Sequence, residues 1–203
     1  MLNVLVACEQ SGVVREAFRS FGHNAFSCDI LDADDDSPFH IKEDVLKVLN
    51  LGWDLMIAHP PCTHLAVSGS RWFYKKEKEQ AEALDFVRAL MYNDIPSIAV
   101  ENPVSVISSK IRKPDQIVQP YFFGDPYEKT TCLWLKGLPK LEVTLKVKPE
   151  PRHVTKSGRS LPTWYNIPPS VKDRAKIRSQ TFPGFALAMA QQWGNYLEAQ
   201  TIV

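Results

Sequence analysis

Residues 53–69, WDLMIAHPPCTHLAVSG, predict one strand of a sheet and the loop that leaves it. Residues 54–58 are a short apolar run typical of a buried strand, and His59-Pro60-Pro61 ends it because proline cannot donate to a sheet ladder. Cys62 therefore follows the strand directly, at the carboxyl edge where open α/β sheets bind ligands. This position makes Cys62 a candidate nucleophile. The alternative is a buried small apolar side chain, the usual role of a free cysteine.

The N-terminal segment predicts a strand, a tight turn and a helix. Residues 3–8 are apolar, and residues 13–21 carry apolar side chains three and four positions apart. Ser11 is the expected N-cap and Gly22 the expected end of the helix. A turn with Gly12 before a helix is typical of nucleotide-type cofactor sites, although any α/β protein needs such a turn.

Two acidic residues follow at positions that suit a cofactor. Residues 24–30 predict a second strand, and its Asp29 lies where doubly wound folds often hold an acid against ribose hydroxyls. Asp44 precedes a short helical piece, residues 45–49. Asp44 is either the N-cap of that piece or a ligand contact.

A second pair of polar residues follows the next strand. Residues 75–92 predict a helix, and residues 97–100 predict a buried strand directly before Glu101-Asn102. A carboxylate at the sheet edge beside a cysteine loop suits proton transfer, and a helix cap is the alternative.

The remaining segments complete an α/β pattern. Residues 117–123 and 131–135 predict strands, residues 152–169 predict an irregular segment, and residues 185–197 predict a closing helix. The predicted fold class is α/β, with a doubly wound Rossmann-like sheet and helices on both faces. The 203 residues are expected to form a single domain.

Charge and cysteine content narrow the possible functions. The formal net charge is +1, but residues 136–178 hold eleven Lys and Arg against three acids, which permits a local nucleic-acid surface. The four cysteines show no C-x-x-C spacing, so neither a zinc site nor a disulfide framework is predicted. No signal peptide or membrane span is indicated, and we expect a cytoplasmic protein.

The ordered motifs resemble the DNA cytosine-5 methyltransferase family. Residues 6–12, VACEQSG, are similar to the family's first cofactor loop, with its glycines reduced to one. Residues 60–62, PPC, resemble the nucleophile motif, and residues 101–102, EN, resemble the Glu-Asn motif. Residues 126–131 resemble a degraded Gln-x-Arg-x-Arg strand, and residues 182–185 lie where the last cofactor motif belongs. The chain thus resembles a compact member of the family.

The resemblance assigns roles to individual residues. The predicted catalytic residues are Cys62, Glu101 and Asn102. The predicted cofactor is S-adenosylmethionine, and its predicted contacts are Cys8, Glu9, Ser11, Gly12, Asp29, Ile30, Asp44, Val45 and Pro60. The predicted contacts to DNA are Arg71, Lys129, Thr131 and Trp164. No metal is expected.

The resemblance also implies a mechanism. Cys62 adds to C6 of a flipped cytosine, and Glu101, held protonated near N3 with help from Asn102, neutralises the charge on the ring. Transfer of the methyl group to C5 and loss of the C5 proton then release Cys62. The predicted activity is that of a DNA (cytosine-5)-methyltransferase, as in restriction-modification systems.

Three alternatives remain open. An amino-methyltransferase would carry Asp or Asn at position 59 and an aromatic residue at position 62, where this chain has His and Cys. A methyltransferase acting on another nucleic acid or pyrimidine nucleotide is the second, and an inactive binding protein is the third. Residues 139–179 form a small basic segment where the family has its target-recognition domain, so we expect relaxed recognition of double-stranded DNA, a homodimer or a partner subunit.

Overall fold

The computed structural model describes residues 1–165, 167–168, 170–172, 174–179 and 181–201. Seven strands form the main sheet: β1 (Asn3–Ala7), β2 (Asn24–Asp29), β3 (His40–Lys42), β4 (Leu55–Ala58), β5 (Ser97–Pro103), β6 (Gln116–Val118) and β7 (Thr131–Lys136). Their spatial order is β3-β2-β1-β4-β5-β7-β6. All neighbouring pairs are parallel except those of β7, which is antiparallel to both β5 and β6. This is a doubly wound sheet with one antiparallel strand inserted near its edge.

Helices cover both faces of the sheet, as predicted. The α-helices are α1 (Val13–Ser20), α2 (Glu77–Met91), α3 (Ile107–Lys110), α4 (Arg174–Ser179) and α5 (Pro183–Thr201). Side chains of β1 alternate between two cores: Val4 and Val6 pack with α1 and α5, whereas Leu5 and Ala7 pack with α2. Because both faces are covered, β4 is buried throughout and reads as a continuous apolar run.

The start of α1 differs from the prediction. The N-cap is Gly12, not Ser11, and no side chain of the N-cap residue caps the helix. Gly12 has φ +71°, and a Cβ there would overlap the buried Arg15 guanidinium. Glycine is required here by local conformation and packing. The predicted end is confirmed, because Gly22 has φ +84° and follows the C-cap residue.

Two predicted strand boundaries are wrong. Residues 117–123 form only the short β6, and a 3-10 turn at Pro120–Phe122 follows because Pro120 cannot donate to the ladder. β5 extends to Pro103, so Glu101 and Asn102 lie within the strand and pair with β7.

The segment predicted as irregular contains a small hairpin. β8 (His153–Val154) pairs antiparallel with β9 (Ser160–Leu161), and a 3-10 turn spans Thr163–Tyr165. Strands of two residues are too short to show alternation in the sequence. In the part of the chain that the structure describes, no helix combines the length and apolar character needed to cross a membrane.

Candidate active site

A pocket lies at the carboxyl edge of the sheet, where the strand order reverses between β1 and β4. Its volume is about 110 Å³. The lining residues are Cys8, Glu9, Gln10, Ser11, Asp29, Asp34, His59, Ser179 and Thr181. Four of the predicted cofactor residues, Cys8, Glu9, Ser11 and Asp29, are thus brought together. A larger cavity of about 230 Å³ lies beside the start of β5 and contains none of the predicted site residues.

Glu9 has a structural task that the sequence did not reveal. Its carboxylate accepts hydrogen bonds from Val14 N at 2.7 Å and Arg15 N at 3.2 Å, and it is only 4% exposed. It therefore satisfies the free N–H groups of the first turn of α1. Burial raises the pKa of Glu9, although the charge of His59 and these N–H groups oppose the rise.

The other predicted cofactor residues differ in exposure, in hydrogen bonding and in whether they line the pocket. Asp29 accepts a hydrogen bond from Leu31 N, and Ile30 beside it is 70% exposed. Asp44 caps a 3-10 turn, Val45–Lys47, by accepting a hydrogen bond from Leu46 N. Burial raises the pKa of the Cys8 thiol, and the charges of Asp29 and, more weakly, Asp44 raise it further. Val45 lies in the core, 4% exposed. Gly12 and Pro60 do not line the pocket, so contact of these two residues and Val45 with a cofactor stays a prediction.

The Cys62 loop folds back on itself and leaves its cysteine exposed. The Cys62 carbonyl accepts hydrogen bonds from Leu65 N at 3.0 Å and Ala66 N at 2.9 Å. Asn102 donates from Nδ2 to the Pro60 carbonyl at 2.9 Å, which ties the loop to β5. Asn102 is 1% exposed and its Oδ1 is buried without a hydrogen-bond partner in the described chain. The structure therefore gives Asn102 a positioning task.

Glu101 lies among hydrogen-bond donors and a cation. Its Oε2 is 3.2 Å from His59 Nδ1, and both side chains are 12% exposed. Burial alone raises the pKa of Glu101, but hydrogen bonds from His59 and Thr131 and the charges of His59 and Lys129 outweigh it, so the pKa lies below its usual value. The expectation that Glu101 is held protonated therefore does not hold in the free protein.

Cys62 and Glu101 lie within electrostatic range of each other. Desolvation raises the pKa of the Cys62 thiol, and the negative charge of Glu101 raises it further. Lys129 and Arg178 act in the opposite direction by favouring the thiolate. The predicted nucleophile and the predicted acid thus belong to one electrostatic cluster, which also contains the predicted DNA contacts Lys129 and Thr131.

Two predicted DNA contacts stand apart from this cluster. Arg71 is exposed in the 3-10 segment Val67–Lys75 that follows the Cys62 loop. The Trp164 side chain lies outside the described residues. Contact of either residue with DNA stays a prediction.

Sequence reasoning missed two residues of the site. His59 was used only to end a strand and to weigh the amino-methyltransferase alternative, yet it lines the pocket and contacts Glu101. Arg178 of α4 stacks its guanidinium on Tyr165 and carries its charge close to Cys62. The density of basic residues in 136–178 was the signal for Arg178. For His59 the signal was its place directly before Pro-Pro-Cys.

No known protein family and no curated protein match the sequence. Among solved structures, a prophage-encoded E. coli protein assigned as a DNA modification methyltransferase matches with TM-score 0.50 and 17% identity over 76% of this chain and 53% of that chain. The S. pombe Dnmt2 methyltransferase matches with TM-score 0.47 and 18% identity over 74% of this chain and 51% of that chain. The chain spans about half the length of each. The likeness to the first of these structures is one of fold, a Rossmann-like, mostly parallel sheet covered by helices.

Proposed function

We propose that the protein is an S-adenosylmethionine-dependent methyltransferase that modifies C5 of cytosine in DNA through a covalent adduct with Cys62. The observation that carries this proposal is the cluster of Cys62, in the loop after β4, and Glu101, within the adjacent parallel strand β5. A nucleophile and an acid on the same sheet edge can reach one ring from two directions.

The residues of the pocket fit the proposed cofactor. Glu9, Asp29 and Asp34 bring three carboxyl groups to one small pocket, which suits a ligand that carries a sulfonium and an ammonium group. Asp29 stands where a doubly wound sheet holds a ribose. S-adenosylmethionine, when bound, supplies the electrophilic methyl group.

The chain's own side chains would act in sequence on the base. The Cys62 thiolate forms a bond to C6, and Glu101 donates a proton or hydrogen bond to N3 as negative charge develops on the ring. C5, now nucleophilic, gains the methyl group and loses its proton to solvent. The bond from Cys62 to C6 then breaks, and N3 returns its proton to Glu101.

Lys129, Thr131 and Arg178 support this sequence. Lys129 and Arg178 favour the thiolate form of Cys62, and both cations also suit the phosphates of a flipped nucleotide. Thr131 helps to keep the pKa of Glu101 below its usual value. The basic residues of the hairpin β8–β9 and its flanks, among them Arg152, Lys156 and Arg159, would contact the backbone of double-stranded DNA.

Expression in a host that lacks DNA methylation tests the proposal. Bisulfite sequencing of the host DNA is expected to show new 5-methylcytosine with the wild-type protein and none with Cys62→Ala. Cys132→Ala is the matched control, because Cys132 is buried on β7 and has no proposed chemical role. Methylated adenine, or an exocyclic amino product on cytosine, would support the amino-methyltransferase reading. Binding of S-adenosylmethionine without any modified base would support the alternative of an inactive binding protein.

A further inference from the structure

The surroundings of His59 are unusual for a residue that only ends a strand. The imidazole lines the same pocket as the buried carboxyl group of Glu9, whose pKa its charge lowers, and it contacts the carboxyl group of Glu101 on β5. Its Nδ1 meets Glu101 Oε2 at 3.2 Å. Its Nε2 is buried and has no hydrogen-bond partner among the described residues. A buried ring nitrogen without a partner marks a place where a ligand can complete the hydrogen bonding, so His59 is more than the end of a strand.

The strand register places His59 beside Glu101. Ala58 of β4 pairs with Val100 of β5, so the next residue of each chain segment lies side by side on the sheet edge. The same ring lines the pocket of Cys8, Glu9 and Asp29, which extends to the exposed Asp34. His59 therefore connects a pocket that reaches the surface with the carboxyl group at the Cys62 cluster.

We propose that His59 is the proton donor of Glu101: it holds the proton that Glu101 passes to N3 of the bound base. This inference rests on the proposed function. When the base binds, the bond between Nδ1 and its proton breaks and a bond from the proton to Glu101 Oε2 forms. Glu101 then carries the proton to N3, and on product release the proton returns by the same route. No net proton is consumed by the pair.

Proton transfer from His59 to Glu101 would change two properties of the free protein that oppose the reaction. Glu101 is ionised there and cannot act as an acid until it receives a proton. The negative charge of Glu101 also opposes formation of the Cys62 thiolate. A proton moved from His59 to Glu101 supplies the acid and removes this charge, so the nucleophile and the acid are activated together.

The groups that face His59 set the pH response. Glu9 and Glu101 flank the ring, Asp29 and Asp34 line the same pocket, and Lys129 approaches Glu101 from the segment before β7. Arg15 acts on Glu9, and Arg178 acts on Cys62. The pH dependence of methyl transfer is therefore a test of the proposed transfer.

Two variants separate the pairing from the proton transfer. His59→Phe removes the hydrogen bond and the charge, so the pKa of Glu101 should rise, as measured by carbon NMR of glutamate-labelled free protein. His59→Asn keeps an N–H near the position of Nδ1 but has no proton to give. His64→Gln, on the same loop, is the control for disturbance of the loop.

The deciding measurement is single-turnover methylation of cytosine DNA between pH 6 and pH 8. His59→Asn should be about a hundredfold slower than wild type at pH 8, with the ratio shrinking as pH falls because solvent then protonates Glu101. His64→Gln should show the same pH profile as wild type. Rescue at low pH is a response that a purely structural histidine would not give.

Three other results would each overturn a different part of the proposal. A pKa of Glu101 that is unchanged in His59→Phe overturns the pairing. A constant ratio of wild type to His59→Asn across the pH range overturns proton donation and leaves His59 a structural role. If the pKa of Glu101 rises as expected but wild type methylates no cytosine at any pH, the proposed function fails and proton donation fails with it.

Discussion

Two glutamates whose charges both interact with His59, Glu9 and Glu101, have pKa values shifted in opposite directions. Glu9 is buried among backbone N–H groups of α1, and desolvation raises its pKa. Glu101 is also desolvated, but His59, Thr131 and Lys129 lower its pKa. Residue type and burial are similar, so the partners decide the protonation state.

The comparison separates a structural region from a reactive one. In the loop after β1, the polar atoms of Glu9 are used to begin a helix. In the loops after β4 and within β5, charged side chains surround Glu101, while Asn102 Oδ1 and His59 Nε2 are buried without hydrogen bonds in the described chain. Groups left unsatisfied in a folded protein mark places where a ligand can complete the hydrogen bonding.

The largest expected effect on activity is that of Glu101→Gln, which tests whether Glu101 is reactive where Glu9 is structural. The amide cannot hand a proton to N3, so methyl transfer is expected to fall about 10²- to 10⁴-fold. The variant should remain folded at neutral pH, because the side chain keeps its size and only the stabilisation by the ionised carboxylate is lost. Glu82→Gln, exposed on α2, is the control and should keep wild-type activity. Wild-type rates with Glu101→Gln would remove Glu101 from the chemistry.

The two glutamates should also give pH dependences of stability with opposite signs. For Glu101, the pKa in the folded state is below 4.5, so its stabilisation is present above pH 4.5 and is lost as pH falls through the lower folded value. For Glu9, the folded pKa is above 4.5, so its contribution falls as pH rises through that value.

Denaturant unfolding between pH 3 and pH 7 checks these signs. Glu101→Gln should flatten the acid-side loss of stability, and Glu9→Gln should flatten the decrease on the neutral side. Glu9→Ala should in addition cost about 1 kcal/mol, the usual effect of removing a helix cap. Slopes of the same sign for both glutamates would contradict the environments described above.

The smallest expected effect concerns the reactivity of Cys62. Because the charge of Glu101 raises the pKa of this thiol, Glu101→Gln should speed alkylation of Cys62 by iodoacetamide severalfold at neutral pH. Lys129→Ala should slow it. Peptide mass spectrometry distinguishes Cys62 from Cys8, Cys28 and Cys132, which are more buried. Equal alkylation rates in wild type and Glu101→Gln would show that the charge of Glu101 does not affect the pKa of Cys62.

Much of the fold was predictable because strong local signals coincide with it. The apolar run before Pro60 is buried on both faces, and the prolines end β4 where the ladder must stop. The loop after β1 was recognisable from Gly12, although its helix cap was not. Glu9 reaches across five positions to Val14, and this contact depends on the turn geometry.

The contacts within the proposed site were harder to predict from the sequence. The contact of His59 with Glu101 follows from the register of β4 against β5, and no residue pattern states that register. The charge of Arg178 acts on Cys62 because α4 ends at the pocket, which Ser179 lines. The ionised state of Glu101 depends on three partners from three segments, so no local motif could reveal it.

The most direct measurement uses a DNA duplex that carries 5-fluorocytosine. Fluorine at C5 cannot leave as a cation, so the enzyme cannot release the methylated base and the covalent complex accumulates. With S-adenosylmethionine present, we expect a denaturant-resistant complex whose DNA mass is attached to the peptide that contains Cys62, and none with Cys62→Ala. A complex through another cysteine, or methyl transfer to cytosine without a trapped complex, would contradict the account.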